Sequence, residues 1–118
     1  MKKILVCDDD EGIAEVMRIM LEGAGYTVNV LSNGKSIQKK IEIFKPNLIF
    51  VDVWMPGIDG KEITKLLKRE KSSSKIPIIV VSALNDTRKI AKDCGADGFL
   101  EKPFDMNTLL NLAKKYTS

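Results

Sequence analysis

The chain has 118 residues, 44% hydrophobic and 30% charged, with 8 Gly and 4 Pro; this is room for one domain with one sizeable core, and it excludes a disordered or low-complexity chain. Its 19 Lys and Arg against 16 Asp and Glu give a net charge of +3, spread along presumptive helix faces and accompanied by only 6% aromatics. That distribution lacks the concentrated basic footprint of a nucleic-acid surface, so direct nucleic-acid binding is not expected.

In chain order, residues 3–7 (KILVC) form a short buried strand that runs straight into the acids DDDE. "MKKILVC" meets those acids before it could become a signal-peptide core, and no apolar run approaches the roughly 20 residues needed to span a bilayer. A cytosolic location with no membrane contact is expected. Residues 11–24 read as a helix, with Ile13, Val16, Met17, Met20, Leu21 and Ala24 at helical spacing and Gly23 and Gly25 stopping it. Asp10 and Glu11 would cap its start, where negative charge meets the positive helix end.

TVNVL (27–31) is a second strand, and GKSIQKKIEIF places Ile37, Ile41 and Phe44 on one helical face before Pro46. NLIFVD (47–52) is a third strand ending in an acid, and MPGIDG is a loop in which Asp59 is expected as a turn acid and Gly60 as a φ-permissive residue. A helix follows with Ile63, Leu66 and Leu67 inward, then KSSSK (71–75) as a surface loop. IPIIVVSA is an unalternating apolar strand of the kind covered on both faces. A helix over about 86–94, the strand GFLE and a helix from about Asp105 to Tyr116, burying Leu109, Leu110, Leu112 and Ala113, complete the alternation. Cys7 and Cys94 form no CxxC pair and read as small core side chains in a reducing compartment.

Five β-α units imply a parallel sheet with helices on both faces, hence an α/β fold. In open α/β sheets, sites form beyond the carboxyl ends of the strands. Asp8 and Asp9 end the first strand, Asp52 the third and Ser82 the fourth, and Lys102 and Pro103 follow the fifth. Carboxylates at close range raise one another's pKa, and a hard divalent cation resolves the conflict. Mg²⁺ suits a set of carboxylates with waters and phosphate oxygens. Zinc fits poorly without His, and DDDEG lacks the ligand alternation of a calcium-binding EF-hand loop.

The acidic cluster after strand one, VDVWMPGIDG, VVSA and EKPF, in this order, resemble the receiver domain of two-component response regulators over essentially the whole chain. The resemblance implies a CheY-like, flavodoxin-like (βα)5 fold, a doubly wound five-stranded parallel sheet of order 2-1-3-4-5. It implies one receiver domain over 1–118 with no output domain in this chain, free-standing or excised. By the same resemblance Asp52 accepts a phosphoryl group from a phosphohistidine on a sensor histidine kinase or histidine phosphotransfer protein. Asp9, Asp52 and the backbone carbonyl of Trp54 would hold Mg²⁺ with help from Asp8. Lys102 would face the phosphoryl oxygens, with its bond to Pro103 cis. Ser82 would bind the phosphoryl group, and Phe99, where Tyr is frequent in the family, would turn inward as the switch. The downstream protein would read helix 4, strand 5 and helix 5.

Trp54 and Leu84 stand where the family tunes access of water to the acyl phosphate, and both are large and apolar, so spontaneous dephosphorylation is expected to be slow. The chain is expected to be no enzyme beyond its own phosphorylation and dephosphorylation. A Mg²⁺ phosphohydrolase of the haloacid-dehalogenase type is the competing reading, but it needs a second Asp two residues after the nucleophile, where Trp54 stands. A flavin module would need a phosphate loop where the acids 8–11 lie.

Overall fold

The computed structural model describes residues 2–55, 59–83 and 85–118. Leu84, and Pro56, Gly57 and Ile58 of the MPGIDG loop, lie outside the described residues. Strands and helices alternate as β1 (Lys3–Cys7), α1 (Glu11–Gly23), β2 (Thr27–Leu31), α2 (Ile37–Phe44) and β3 (Leu48–Asp52). The second half continues as α3 (Gly60–Arg69), β4 (Ile78–Ser82), α4 (Thr87–Cys94), β5 (Gly98–Glu101) and α5 (Met106–Thr117). The strands form one parallel sheet in the order β2-β1-β3-β4-β5. Both the flavodoxin-like class and the strand order are as expected.

The two-residue period of a strand sorts the apolar side chains into two layers. Ile4, Val6, Phe50, Ile79 and Val81 pack with Ala14, Met17 and Leu21 of α1 and Leu109 and Ala113 of α5. The alternate positions Leu5, Cys7, Ile49, Val51 and Ile78 pack with Ile37 and Ile41 of α2 and Ile63 and Leu67 of α3. Val53 and Val80 meet Ile90, Ala91 and Cys94 of α4. Every residue of β3 and β4 is buried, which is why their sequences do not alternate. At about 1.5–3 kcal/mol per large apolar side chain, this double burial is the main stabilising force.

The helix stripes are narrower than the spacing suggested. Val16 is 45% exposed and Ala24 is exposed, because α1 rests on the sheet through Ala14, Met17 and Leu21. On α3 it is Thr64, not Leu66, that is fully covered. Its hydroxyl donates to Gly60 O at 2.8 Å, so burying it leaves no polar atom unpaired. Ser73 in the KSSSK loop is likewise buried and donates to Leu67 O at 2.7 Å. Leu110 and Leu112 are only half-buried.

Gly60 corrects another expectation. Its φ is not positive, unlike those of Gly25 and Gly95. The constraint is space: a Cβ there would lie 2.1 Å from the carbonyl oxygen of Asp52 and 2.8 Å from Val53 Cα. With only hydrogen at that point, the Gly60 N–H donates to Val53 O at 3.0 Å and α3 starts directly against the end of β3. Asp59 does act as the turn acid, its side chain accepting the Lys61 N–H at 2.8 Å.

Replacing Gly60 by Ala is therefore expected to cost about 2–3 kcal/mol, as forced overpacking does. Urea unfolding would read this as a lower midpoint at unchanged slope. An unchanged midpoint would show that the backbone behind Asp52 yields freely.

Candidate functional site

The strand order places β1 and β3 side by side, with Cys7 opposite Val51. Their carboxyl ends therefore deliver Asp8 and Asp52 to the same edge of the sheet. Local hydrogen bonds sort the acids that follow β1. Asp8 N–H donates to Leu31 O at 3.0 Å, and Asp8 Oδ1 accepts the Asp10 N–H at 2.9 Å, turning this side chain inward. Asp9 is exposed. Asp10 accepts the Ile13 N–H at 3.1 Å and caps α1, with Glu11 in the first turn, as expected.

Asp52 is held from two sides. Its Oδ1 accepts the Trp54 N–H at 3.2 Å, and its Oδ2 accepts from Lys102 Nζ at 3.3 Å. The same ammonium lies 3.0 Å from Asp8 Oδ2. Lys102 reaches this point because its own N–H donates to Ser82 O at 2.9 Å, tying the end of β5 to the end of β4. The Lys102–Pro103 peptide bond is cis. Ser82 is buried at the end of β4, opposite Glu101 in the register. The fold thus gathers Asp8, Asp9, Asp52 and Lys102 into one cluster, with Ser82 at the neighbouring strand end.

The electrostatics follow from burial. Desolvation first, and the Asp8 charge second, push Asp52 up from 3.8 to about 6, against the pull of Lys102. Burial works against the Lys102 ammonium, but Asp8 and Asp52 together outweigh it and hold the pKa above its ordinary value. Burial, with Asp8 adding to it, pushes the Cys7 thiol up to about 12, so this sulfur stays protonated and is no nucleophile.

One ammonium does not balance three carboxylates. Asp8, Asp9 and Asp52 each offer an oxygen, and these oxygens lie within 4.8 Å of one another. Asp8 Oδ2 is fully buried yet accepts no hydrogen bond among the described residues, the Lys102 ammonium lying 3.0 Å away but not aligned with it. A buried carboxylate oxygen answered only by an ammonium it shares with Asp52, in an all-oxygen cluster, fits a hard divalent cation such as Mg²⁺.

Three features at this end of the sheet were not legible in the motifs. Asp8 is ion-paired with Lys102 as well as adjacent to the metal-type cluster. Gly60 backs directly onto the Asp52 carbonyl, where the Asp-Gly pair signalled only a turn. The guanidinium of Arg88 on α4 lies 5.7 Å from the centre of the Phe99 ring, a contact between elements that no sequence spacing announces. Phe99 is half-buried on β5, beside Val80. Trp54 is 58% exposed, with Lys61 Nζ 5.8 Å from its ring centre. Leu84, the other residue expected to tune access of water, lies outside the described residues.

Comparison with known proteins agrees with this geometry. The profile of the response regulator receiver domain matches residues 4–114. The alkaline phosphatase synthesis transcriptional regulatory protein PhoP of Bacillus subtilis is 39% identical over 105 residues, which are 87% of this chain and 43% of that protein. The DNA-binding dual master transcriptional regulator RpaA of Synechocystis is 35% identical over 112 residues, 93% of this chain and 46% of that protein. The chain thus spans somewhat under half the length of these curated relatives. Among solved structures, the chemotaxis protein CheY4 of Vibrio cholerae superimposes with a TM-score of 0.89 at 29% identity, covering 98% of both chains. The response regulator TrrA of Thermotoga maritima, solved in complex with Mg²⁺ and BeF, gives 0.88 at 31% identity over 98% of this chain and 99% of that one.

The raised Asp52 pKa carries a sign for stability. The folded chain binds the proton more tightly than the unfolded chain, so this group's contribution falls as pH rises from 3.8 to about 6. In metal-free buffer Asp52→Asn is expected to be more stable than the native chain above that range, by about 1–2 kcal/mol after solvent screening, and equal to it below. Urea midpoints across pH check this. A variant less stable than the native chain at neutral pH would contradict it.

Proposed function

This chain belongs to the response regulator receiver domain family of two-component signalling, and we propose that its residues 1–118 form one phosphoacceptor unit in which Asp52 takes a phosphoryl group from a phosphohistidine. The observation that carries the reading is the position of Asp52. It ends β3 beside Asp8 and Lys102, and with Asp8 and Asp9 it makes up the three-acid cluster found among the described residues.

Chemically, an Asp52 carboxylate oxygen attacks phosphorus as the phosphorus–nitrogen bond to the donor imidazole breaks. The electron pair stays on that nitrogen, and the product is an acyl phosphate on Asp52. Such a transfer asks the protein for alignment and charge neutralisation more than for a base. The Trp54 N–H on Oδ1 orients the carboxylate and leaves its other oxygen toward Lys102. Asp8, Asp9 and Asp52, with the Trp54 carbonyl, would hold Mg²⁺, whose positive charge screens the acids from the incoming phosphoryl oxygens. Lys102 supplies the fixed cation on the other side. Once Asp52 is modified, the added charge of roughly −1.5 to −2 favours a conformer in which the Ser82 hydroxyl donates to the phosphoryl group and Phe99 turns inward.

The partners in this reading are a sensor histidine kinase or histidine phosphotransfer protein at the pocket and a downstream protein on the face of α4, β5 and α5. Relatives such as RpaA are DNA-binding regulators by name; for this domain we assign signalling through protein contacts and no nucleic-acid contact. No helix among the described residues is long and apolar enough to cross a membrane, in keeping with a cytoplasmic role. Trp54, large and apolar two residues after Asp52, supports slow loss of the phosphoryl group to water. A haloacid-dehalogenase-type hydrolase has no support here, because the position of its second acid is Trp54.

Incubation with Mg²⁺ and acetyl phosphate is expected to add the mass of one phosphoryl group, a gain that fails when Mg²⁺ is chelated beforehand and is absent in Asp52→Asn. Intact-protein mass spectrometry reads both arms. The same gain in the variant would place the modification elsewhere.

A further inference from the structure

Trp54 stands two residues after Asp52, and its backbone N–H is fixed to the acceptor carboxylate at 3.2 Å. Its side chain is not fixed in the same way. The indole is 58% exposed and belongs to none of the three packed clusters, so packing leaves it several staggered rotamers. What meets the ring is a charge. Lys61 Nζ lies 5.8 Å from the ring centre, within the range at which an ammonium is drawn to an indole face.

Lys61 lies on α3 and reaches the ring because of how that helix starts. Gly60 has no Cβ to strike the Asp52 carbonyl, so its N–H bonds to Val53 O at 3.0 Å and the first turn of α3 is set against the end of β3. Asp59 then holds Lys61 at both ends. Its Oδ1 accepts the Lys61 N–H at 2.8 Å, and its Oδ2 lies 3.9 Å from Lys61 Nζ. Asp59, Lys61 and Trp54 thus form a line of contacts that ends on the ring. The charges that shift Asp52 are those of Asp8 and Lys102, so Lys61 bears on the acceptor through the indole and not through its own field.

We propose that Lys61 is a positioning residue that holds the Trp54 ring beside the acceptor and so slows the loss of the phosphoryl group to water. In that loss a water oxygen bonds to phosphorus, the bond to the Asp52 oxygen breaks with its electron pair left on the carboxylate, and the water protons pass to phosphate and solvent. The proposal rests on the receiver reading and adds the contact that keeps the ring in place. An exposed contact of this kind shifts a rotamer population by about two- to fivefold, which sets the size of the effect.

Trp54 is the one Trp of the chain, so the anisotropy decay of its fluorescence reads the ring directly. In Lys61→Met, which removes the charge and keeps a long side chain, the fast local component is expected to grow, and in Lys61→Arg to stay at the native level. The phosphoryl half-life is followed by intact mass after loading with acetyl phosphate and Mg²⁺ and removing the donor. It should shorten about two- to fivefold in Lys61→Met and hold in Lys61→Arg. In a Trp54→Ala background, Lys61→Met should make no further difference. Urea midpoints serve as the folding control for each variant. Ring mobility or half-life unchanged in Lys61→Met would overturn the proposal, as would the same shortening in the absence of the indole. A native chain that gains no mass from acetyl phosphate would sink the receiver reading and the phosphoryl half of the proposal with it, while the anisotropy would still decide whether Lys61 holds the ring.

Discussion

The rest of the structure depends on one imbalance of charge, three carboxylates gathered around one ammonium at the carboxyl end of a buried sheet. Among the described residues, the N–H groups of Asp10 and Trp54 relieve it only in part. Asp8 is fully covered, Asp52 nearly so, and Lys102 serves both. The cost appears as an Asp52 carboxyl that holds its proton up to a pH of about 6. Such a pocket persists because the strands beneath it are packed on both faces, with Phe50, Ile49, Ile78 and Ile79 excluded from solvent. Burial of this kind offsets the repulsion and leaves it available for a divalent cation to relieve.

The pocket and the face of α4, β5 and α5 are joined by short physical links. The Lys102 N–H on Ser82 O fixes the end of β5 to β4, and Phe99 sits three residues before Lys102 on β5. Phe99 packs with Val53 and Val80, close to the site, and with Ala91 and Cys94 of α4. A change in charge at Asp52 therefore has a packed route to the surface where Arg88 covers the Phe99 ring. This chain has Phe at that point, so packing and the Arg88 contact are the forces available to hold the ring, with no hydroxyl to bond.

Much of this was legible in the sequence for a definite reason. Parallel strands ending at one edge turn residues far apart in the chain into neighbours, so Asp8, Asp52, Ser82 and Lys102 could be collected by strand ends alone. The Asp10 cap on α1 was expected as well, but spacing does not say that Asp8 pairs with Lys102 while Asp9 stays exposed. That Asp8 turns inward to Lys102 while Asp10 caps α1 is decided by hydrogen bonds to Leu31 O and to the Ile13 N–H. Gly60 was misjudged because Asp-Gly reads as turn chemistry, whereas its real constraint is close contact with the backbone at the end of β3. Val16 and Thr64 show the same limit: an apolar residue can fall outside the packed stripe, and a hydroxyl can be buried where it finds a carbonyl.

The central claim, that the acid cluster is built for a divalent cation in competition with a proton on Asp52, can be read from the fluorescence of Trp54, the one Trp of the chain. Its backbone N–H is bonded to the Asp52 carboxylate. Titration with Mg²⁺ is expected to give a saturable change at pH 7.5 and an affinity roughly tenfold weaker at pH 5, where a group with a pKa of about 6 is about one tenth ionised. No saturable change, or an affinity indifferent to pH across that interval, would contradict the account.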